Sequence, residues 1–126
     1  MISIRDFDAL DCISQTAEKL SSGELLQLEK SLSRTMSEPI YFEMIKQKTA
    51  SLIASSCELG AITTSGLKKD RELMYSYGEN LGIAFQIKDD LLDYLGSESM
   101  TGKNSGGDVK RNMMTLPLIF AKSKLK

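Results

Sequence analysis

Apolar positions in this chain recur at spacings of three and four, and no run alternates long enough to make a convincing strand. From Ile4 to about Leu32 the repeat is carried by Phe7, Leu10, Ile13, Ala17, Leu20, Leu25, Leu28 and Leu32. Within it, Ser21-Ser22-Gly23 predicts the end of one helix and a second start at Glu24. Ser37-Glu38-Pro39 reads as a helix start, with Ser37 able to cap and Pro39 where no amide hydrogen is needed. That helix is expected to run through Tyr41, Met44, Ile45, Lys48, Leu52 and Ile53 to about Ala61, with Ser65-Gly66 as its stop. A third helix is expected from about Lys69 to Leu95, burying Leu73, Tyr77, Leu81, Ala84, Phe85 and Leu92, with Gly96 as its C-cap. Gly78 and Gly82, four apart, would let another helix come close, at a cost of about 1 kcal/mol each against Ala. Residues 96–107 are rich in Gly and Ser and read as a loop, and Met113 to Ala121 begins a last helix. The expectation is an all-α, antiparallel helical bundle in which residues 1–126 form a single helical domain.

Composition narrows what such a bundle can do. A chain of 126 residues, 41% hydrophobic and 26% charged, has the balance of one globular domain with a modest core. Sixteen basic residues face seventeen acidic ones, and the net charge of -1 gives no general pull toward nucleic acid or anionic membranes. No apolar run reaches the length of a membrane span. The absence of histidine excludes a His general base and a Ser-His-Asp triad. Cys12 and Cys57 are too few and too far apart for a zinc site. With two cysteines and no signal peptide in view, the cytoplasm is the expected compartment.

The chemistry concentrates in Phe85-Gln86-Ile87-Lys88-Asp89-Asp90-Leu91-Leu92-Asp93-Tyr94. On a helix, Gln86, Asp89, Asp90 and Asp93 fall at i, i+3, i+4 and i+7 and share a face. Carboxylates that close repel one another, and a hard dication relieves the repulsion. Magnesium suits the role, because one or two carboxylates, waters and substrate phosphates commonly complete its shell. Asp89 and Asp93, one turn apart, are spaced to share such an ion. A solvated acidic face is the competing reading, and for D-D-x-x-D alone it is the simpler one. Gly102-Lys103-Asn104-Ser105-Gly106-Gly107-Asp108 combines turning backbone with a positive charge, which suits an anion or, taken singly, a flexible linker. Lys48, on a stripe with Tyr41, Ile45 and Leu52, either snorkels to solvent or meets an anion.

As an ordered set these segments resemble the trans-isoprenyl diphosphate synthase family. Residues 85–94 resemble its second aspartate-rich motif and the glutamine before it. Lys48-Thr49-Ala50 resembles its Lys-Thr pair, and Gly23-Glu24-Leu25-Leu26-Gln27 another recurrent segment. Gly102-Lys103 with Gly106 and Asp108, then Thr115-Leu116-Pro117-Leu118, resembles the stretch downstream. The wording is closest to long-chain, octaprenyl-like members. The resemblance implies a partial isoprenoid-synthase fold and a magnesium-dependent head-to-tail condensation of isopentenyl diphosphate with an allylic diphosphate. It implies that Asp89 binds Mg2+ directly, that Asp90 and Asp93 complete the carboxylate cluster, and that Asp108 supports the metal shell. Lys48 and Lys103 would hold the allylic diphosphate, and Thr49 and Gln86 would line the reacting end.

Two departures qualify the match. Nothing in residues 1–84 resembles the family's first aspartate-rich motif, the arginines after it or the basic isopentenyl diphosphate site. Met113 stands where members usually carry a lysine. The chain is therefore expected to correspond to the C-terminal part of a member, with a homo-oligomer or a partner chain supplying the first motif. The alternative is a non-catalytic helical partner subunit or an inactive truncated paralogue.

Overall fold

The structure, a computed structural model, describes residues 6–65, 67–95 and 114–125. The helices are α1 (Phe7–Ser33), α2 (Glu38–Ile45), α3 (Ser51–Thr64), α4 (Lys68–Leu95) and α5 (Leu116–Lys124). A π-helical turn, Lys46–Ala50, joins α2 to α3 without a break. No strand occurs among the described residues. The all-α expectation holds, and pair contacts give the directions. Gly78 meets Ala54 while Gly82 meets Ala50, so α4 runs antiparallel to α3. Thr16 meets Ser55 while Gly23 meets Lys48, so α1 is antiparallel to the same segment.

Sequence and structure part company over which faces are buried. α1 does not stop at Ser21-Ser22-Gly23 but continues to Ser33. Gly23 is buried in mid-helix because the π turn presses on it: a Cβ there would lie 2.6 Å from the Lys48 amide nitrogen. Inward positions on α1 are small or polar, namely Ala9, Cys12, Thr16 and Gly23, while Phe7, Leu25, Leu28 and Leu32 are exposed. The same inversion occurs on α4. Its buried positions are Gly78, Gly82 and Asp90, whereas the expected face of Leu73, Tyr77, Leu81, Ala84, Phe85 and Leu92 lies outside. The glycine stripe is the one that α3 occupies. A Cβ on Gly82 would lie 2.5 Å from the Ala50 Cα, and one on Gly78 2.6 Å from the Ala54 Cα. Backbones this close gain dispersion contacts along their whole length, so the seam needs no large side chains.

The π turn explains a third difference. Buried positions on α2, the turn and α3 run Tyr41, Ile45, Ala50, Ala54 and Ala61, and the step from 45 to 50 is five residues rather than four. The extra residue rotates the stripe, so Leu52 is exposed and alanines face α4. Larger side chains gather at the α2 end, where Met36, Tyr41, Met44 and Ile45 pack with Leu26, Ile83, Ile87 and Ile119. Burying each aliphatic side chain of that size contributes roughly 1.5–3 kcal/mol. Caps fix two of the ends. Asp6 accepts from the Ala9 amide at 3.0 Å, and Arg34, in the left-handed region at φ 54°, closes α1. Ser37 takes the N-cap position of α2 through its carbonyl, which accepts from the Tyr41 amide, and not through its side chain. Pro39 and Pro117 occupy first turns, as their missing amide hydrogens require.

Candidate functional site

A cleft of about 140 Å³ opens where α1, α2, the π turn and α4 converge. Lys48 and Thr49 reach it from the π turn, Gln27 from α1, and Gln86, Asp89 and Asp90 from α4. Thr115, just before α5, closes one side and exchanges a 2.8 Å hydrogen bond with the Tyr94 hydroxyl. Five of the eight expected site residues, Lys48, Thr49, Gln86, Asp89 and Asp90, thus line a single cavity although 41 positions separate the pair 48–49 from Asp90. Lys103 and Asp108 lie outside the described residues.

Lys48 is set in place by α1. Its ammonium donates to Gln27 Oε1 at 2.5 Å and pairs with Glu24 Oε1 at 3.1 Å. The side chain keeps 32% of its accessible surface, and a half-open ion pair of this kind is worth only fractions of a kcal/mol to about 1 kcal/mol. An incoming anion can replace Glu24 at small cost, while Gln27 keeps the ammonium aimed. The π turn is the device that turns Lys48 and Thr49 toward α1 and α4 together, and Gly23 lets α1 come close enough to meet them.

On the opposite wall a chain of hydrogen bonds runs inward. Thr49 Oγ1 donates to Gln86 Oε1 at 2.7 Å, Gln86 Nε2 donates to Asp90 Oδ1 at 2.8 Å, and the Tyr41 hydroxyl donates to Asp90 Oδ2 at 2.6 Å. Tyr41 is fully buried and Asp90 is 4% exposed. Burial first, then the Asp90 carboxylate, pushes the Tyr41 phenol well above its ordinary range, so it stays protonated as a donor.

The three aspartates accordingly do not stand alike. Asp89 is exposed on the cleft, Asp93 is half-buried one turn further along, and Asp90 is turned into the protein. Among the described residues no three carboxylates or thiols gather closely enough to hold a metal ion by themselves, so the expected trio around one ion is not assembled. A helix explains the difference, since neighbours in sequence point about 100° apart. What remains suits a magnesium ion that relies on one or two carboxylates and takes its other oxygens from phosphate and water.

Sequence reasoning missed Tyr41, Gln27 and Glu24 as site residues. Tyr41 reads as one more apolar position on its stripe, and nothing local announces a partner 49 residues away. Glu24 and Gln27 belong to a segment whose resemblance was visible, but its meeting with Lys48 was not. A second polar cluster lies toward the other end of the bundle, where Thr16 and Ser55 meet at 2.5 Å and Arg71 pairs with Asp8 at 2.6 Å. Cys12 and Cys57 are both free thiols, and burial, then Glu58, pushes the Cys12 thiol upward.

The bundle brings the lysine-threonine pair on the π turn to face a glutamine and aspartates on the neighbouring helix, as the resemblance to isoprenoid synthases implies. The chain belongs to the polyprenyl synthetase family, whose sequence model matches residues 1–126. It is 36% identical over 121 residues to heptaprenyl diphosphate synthase component 2 of Bacillus subtilis, and 32% identical over 121 residues to solanesyl diphosphate synthase 3, chloroplastic/mitochondrial, of Arabidopsis thaliana. Each match covers 96% of this chain, but only 35% and 29% of those proteins. The polyprenyl synthase of Caulobacter crescentus, solved with calcium and isoprenyl diphosphate, superposes with a TM-score of 0.91 at 37% identity, over 99% of this chain and 38% of that one. Heptaprenyl diphosphate synthase of Staphylococcus aureus gives 0.88 at 32% identity, over 95% and 38%. The chain thus spans about a third of the length of these relatives. Their names cover several product lengths, so the octaprenyl-like wording is not singled out. No described helix is long and apolar enough to cross a membrane.

Proposed function

We propose that this chain forms the diphosphate-holding wall of a trans-prenyltransferase site, the part that binds an allylic diphosphate through magnesium. The observation that carries the reading is the convergence of Lys48, Thr49, Gln86 and Asp89 on one cleft in a fold that superposes on polyprenyl synthases. Asp89, with Asp93 one turn on, would hold Mg2+, and Lys48 would face the diphosphate once Glu24 yields. Lys103 and Asp108 would add a second cation and a carboxylate supporting the metal shell. The ion supplies charge that stabilises the departing diphosphate. Gln86 and Thr49 offer oriented dipoles to the carbon end of the substrate. Isopentenyl diphosphate, the second substrate, and the first aspartate-rich motif would be met by polypeptide outside these 126 residues, in a homo-oligomer or a partner chain. The two free cysteines suit a reducing compartment, and the cytoplasm is the proposed one.

Calorimetric titration with magnesium diphosphate tests the reading. The wild-type chain should bind weakly, and Asp89→Ala and Lys48→Ala should each weaken binding about tenfold, near 1.4 kcal/mol. Equal heats for all three proteins would remove the metal and anion roles. Supplied with isopentenyl diphosphate and an allylic primer, the chain alone should turn over slowly or not at all. Robust elongation would show that no further polypeptide is needed.

The exposed apolar face of α4 favours a second reading, a non-catalytic helical partner subunit or an inactive truncated paralogue. Light scattering tests this second reading: a clean monomer with a cooperative melt speaks against a protein whose task is to pair.

A further inference from the structure

The chain Thr49–Gln86–Asp90–Tyr41 has a direction, and that direction is fixed from its buried end. A carboxylate only accepts hydrogen bonds, so Asp90 obliges Gln86 to present its amide nitrogen. The amide oxygen must then face Thr49, and the Thr49 hydroxyl must spend its proton on that oxygen. Thr49 is left to offer the cleft oxygen lone pairs rather than a hydrogen. Without Asp90 a glutamine amide could turn over and a threonine hydroxyl could rotate, and the two polarities would differ little in energy. The phenol of Tyr41, fully buried and 2.6 Å from Asp90 Oδ2, fixes the remaining freedom by holding the carboxylate in its plane.

We infer that Tyr41 and Asp90 are positioning residues that set the hydrogen-bond polarity of the Thr49–Gln86 pair, and that Asp90 is a framework carboxylate rather than a metal ligand. The inference rests on the proposed reading only for the use to which the cleft is put; the polarity itself is a property of this chain.

Side-chain amide and hydroxyl proton spectra of the labelled chain test it, in wild type, Tyr41→Phe and Asp90→Asn, together with magnesium diphosphate titrations. Both substitutions are near-isosteric and break the network from different sides. In wild type, one Gln86 amide proton and the Thr49 hydroxyl proton should exchange slowly. In either variant their exchange should quicken about tenfold or more, with backbone spectra and melting cooperativity retained and diphosphate affinity within about twofold. Unchanged Gln86 and Thr49 signals in both folded variants would overturn the inference. So would a loss of diphosphate affinity in Asp90→Asn as large as in Asp89→Ala, because Asp90 would then be acting as a ligand. Should wild type show no magnesium diphosphate binding at all, the proposed function fails, while the amide and hydroxyl signals still decide the polarity.

Discussion

Within these 126 residues the two faces of α4 are covered unequally. One carries Leu73, Tyr77, Leu81, Phe85 and Leu92 and lies open, with Phe85 keeping 59% of its surface. The other carries Gly78, Gly82, Gln86 and Asp90 and meets α3, the π turn and α2. Within this chain, about a third of the length of the relatives, the glycine-bearing face is the covered one. The inner face is chosen by what its neighbours can accept: backbone against backbone at the glycines, then polar groups with matched donors beyond them. Closeness at the glycine seam is also what brings Thr49 within reach of Gln86 one turn further on. The packing link and the site link are therefore the same contact.

Substitutions on the two faces should differ sharply. Gly82→Leu puts a side chain where even a Cβ lies 2.5 Å from the Ala50 backbone, and should destabilise by about 3 kcal/mol or more, measured by chemical denaturation. A mild effect would mean the helices can separate freely. Tyr41→Phe removes one donor from a buried carboxylate and should cost about 1–3 kcal/mol in the same experiment. Gly23→Ala gains helix propensity but sets a methyl 2.6 Å from the Lys48 amide, with a net loss of about 1 kcal/mol and weaker diphosphate binding as the π turn shifts. On the outer face, Leu81→Gln or Phe85→Gln should change stability by no more than about 0.5 kcal/mol. A large loss there, dependent on protein concentration, would show that the outer face is covered by another copy.

Much of this was legible in the sequence, and the gaps have physical causes. Helical periodicity and the two prolines located the helices, and the Gly78–Gly82 spacing foretold a close crossing. The periodicity did not say which face is inside, because Leu and Phe count for more than Gly on any hydrophobic reading. Gly23 looked like a stop because glycine both ends helices and admits close neighbours, and only the neighbour distinguishes the two uses. The π turn inserts one residue without a marker of its own, so the stripe expected through Lys48 and Leu52 passes instead through Ala50 and Ala54. Of the candidate site, the resemblance named Lys48, Thr49, Gln86 and Asp89 together, and these four line one cleft. The separate part of Asp90 was not, since it depends on a tyrosine from another helix.

Crystals of the chain soaked with manganese and diphosphate would test the central claim most directly, through the anomalous signal of the metal. The account predicts one manganese within about 2.5 Å of an Asp89 carboxylate oxygen, diphosphate between it and Lys48, and Asp90 still held by Tyr41 and Gln86. A metal bound to Asp90 in place of Asp89, or ordered diphosphate away from Lys48, would contradict it.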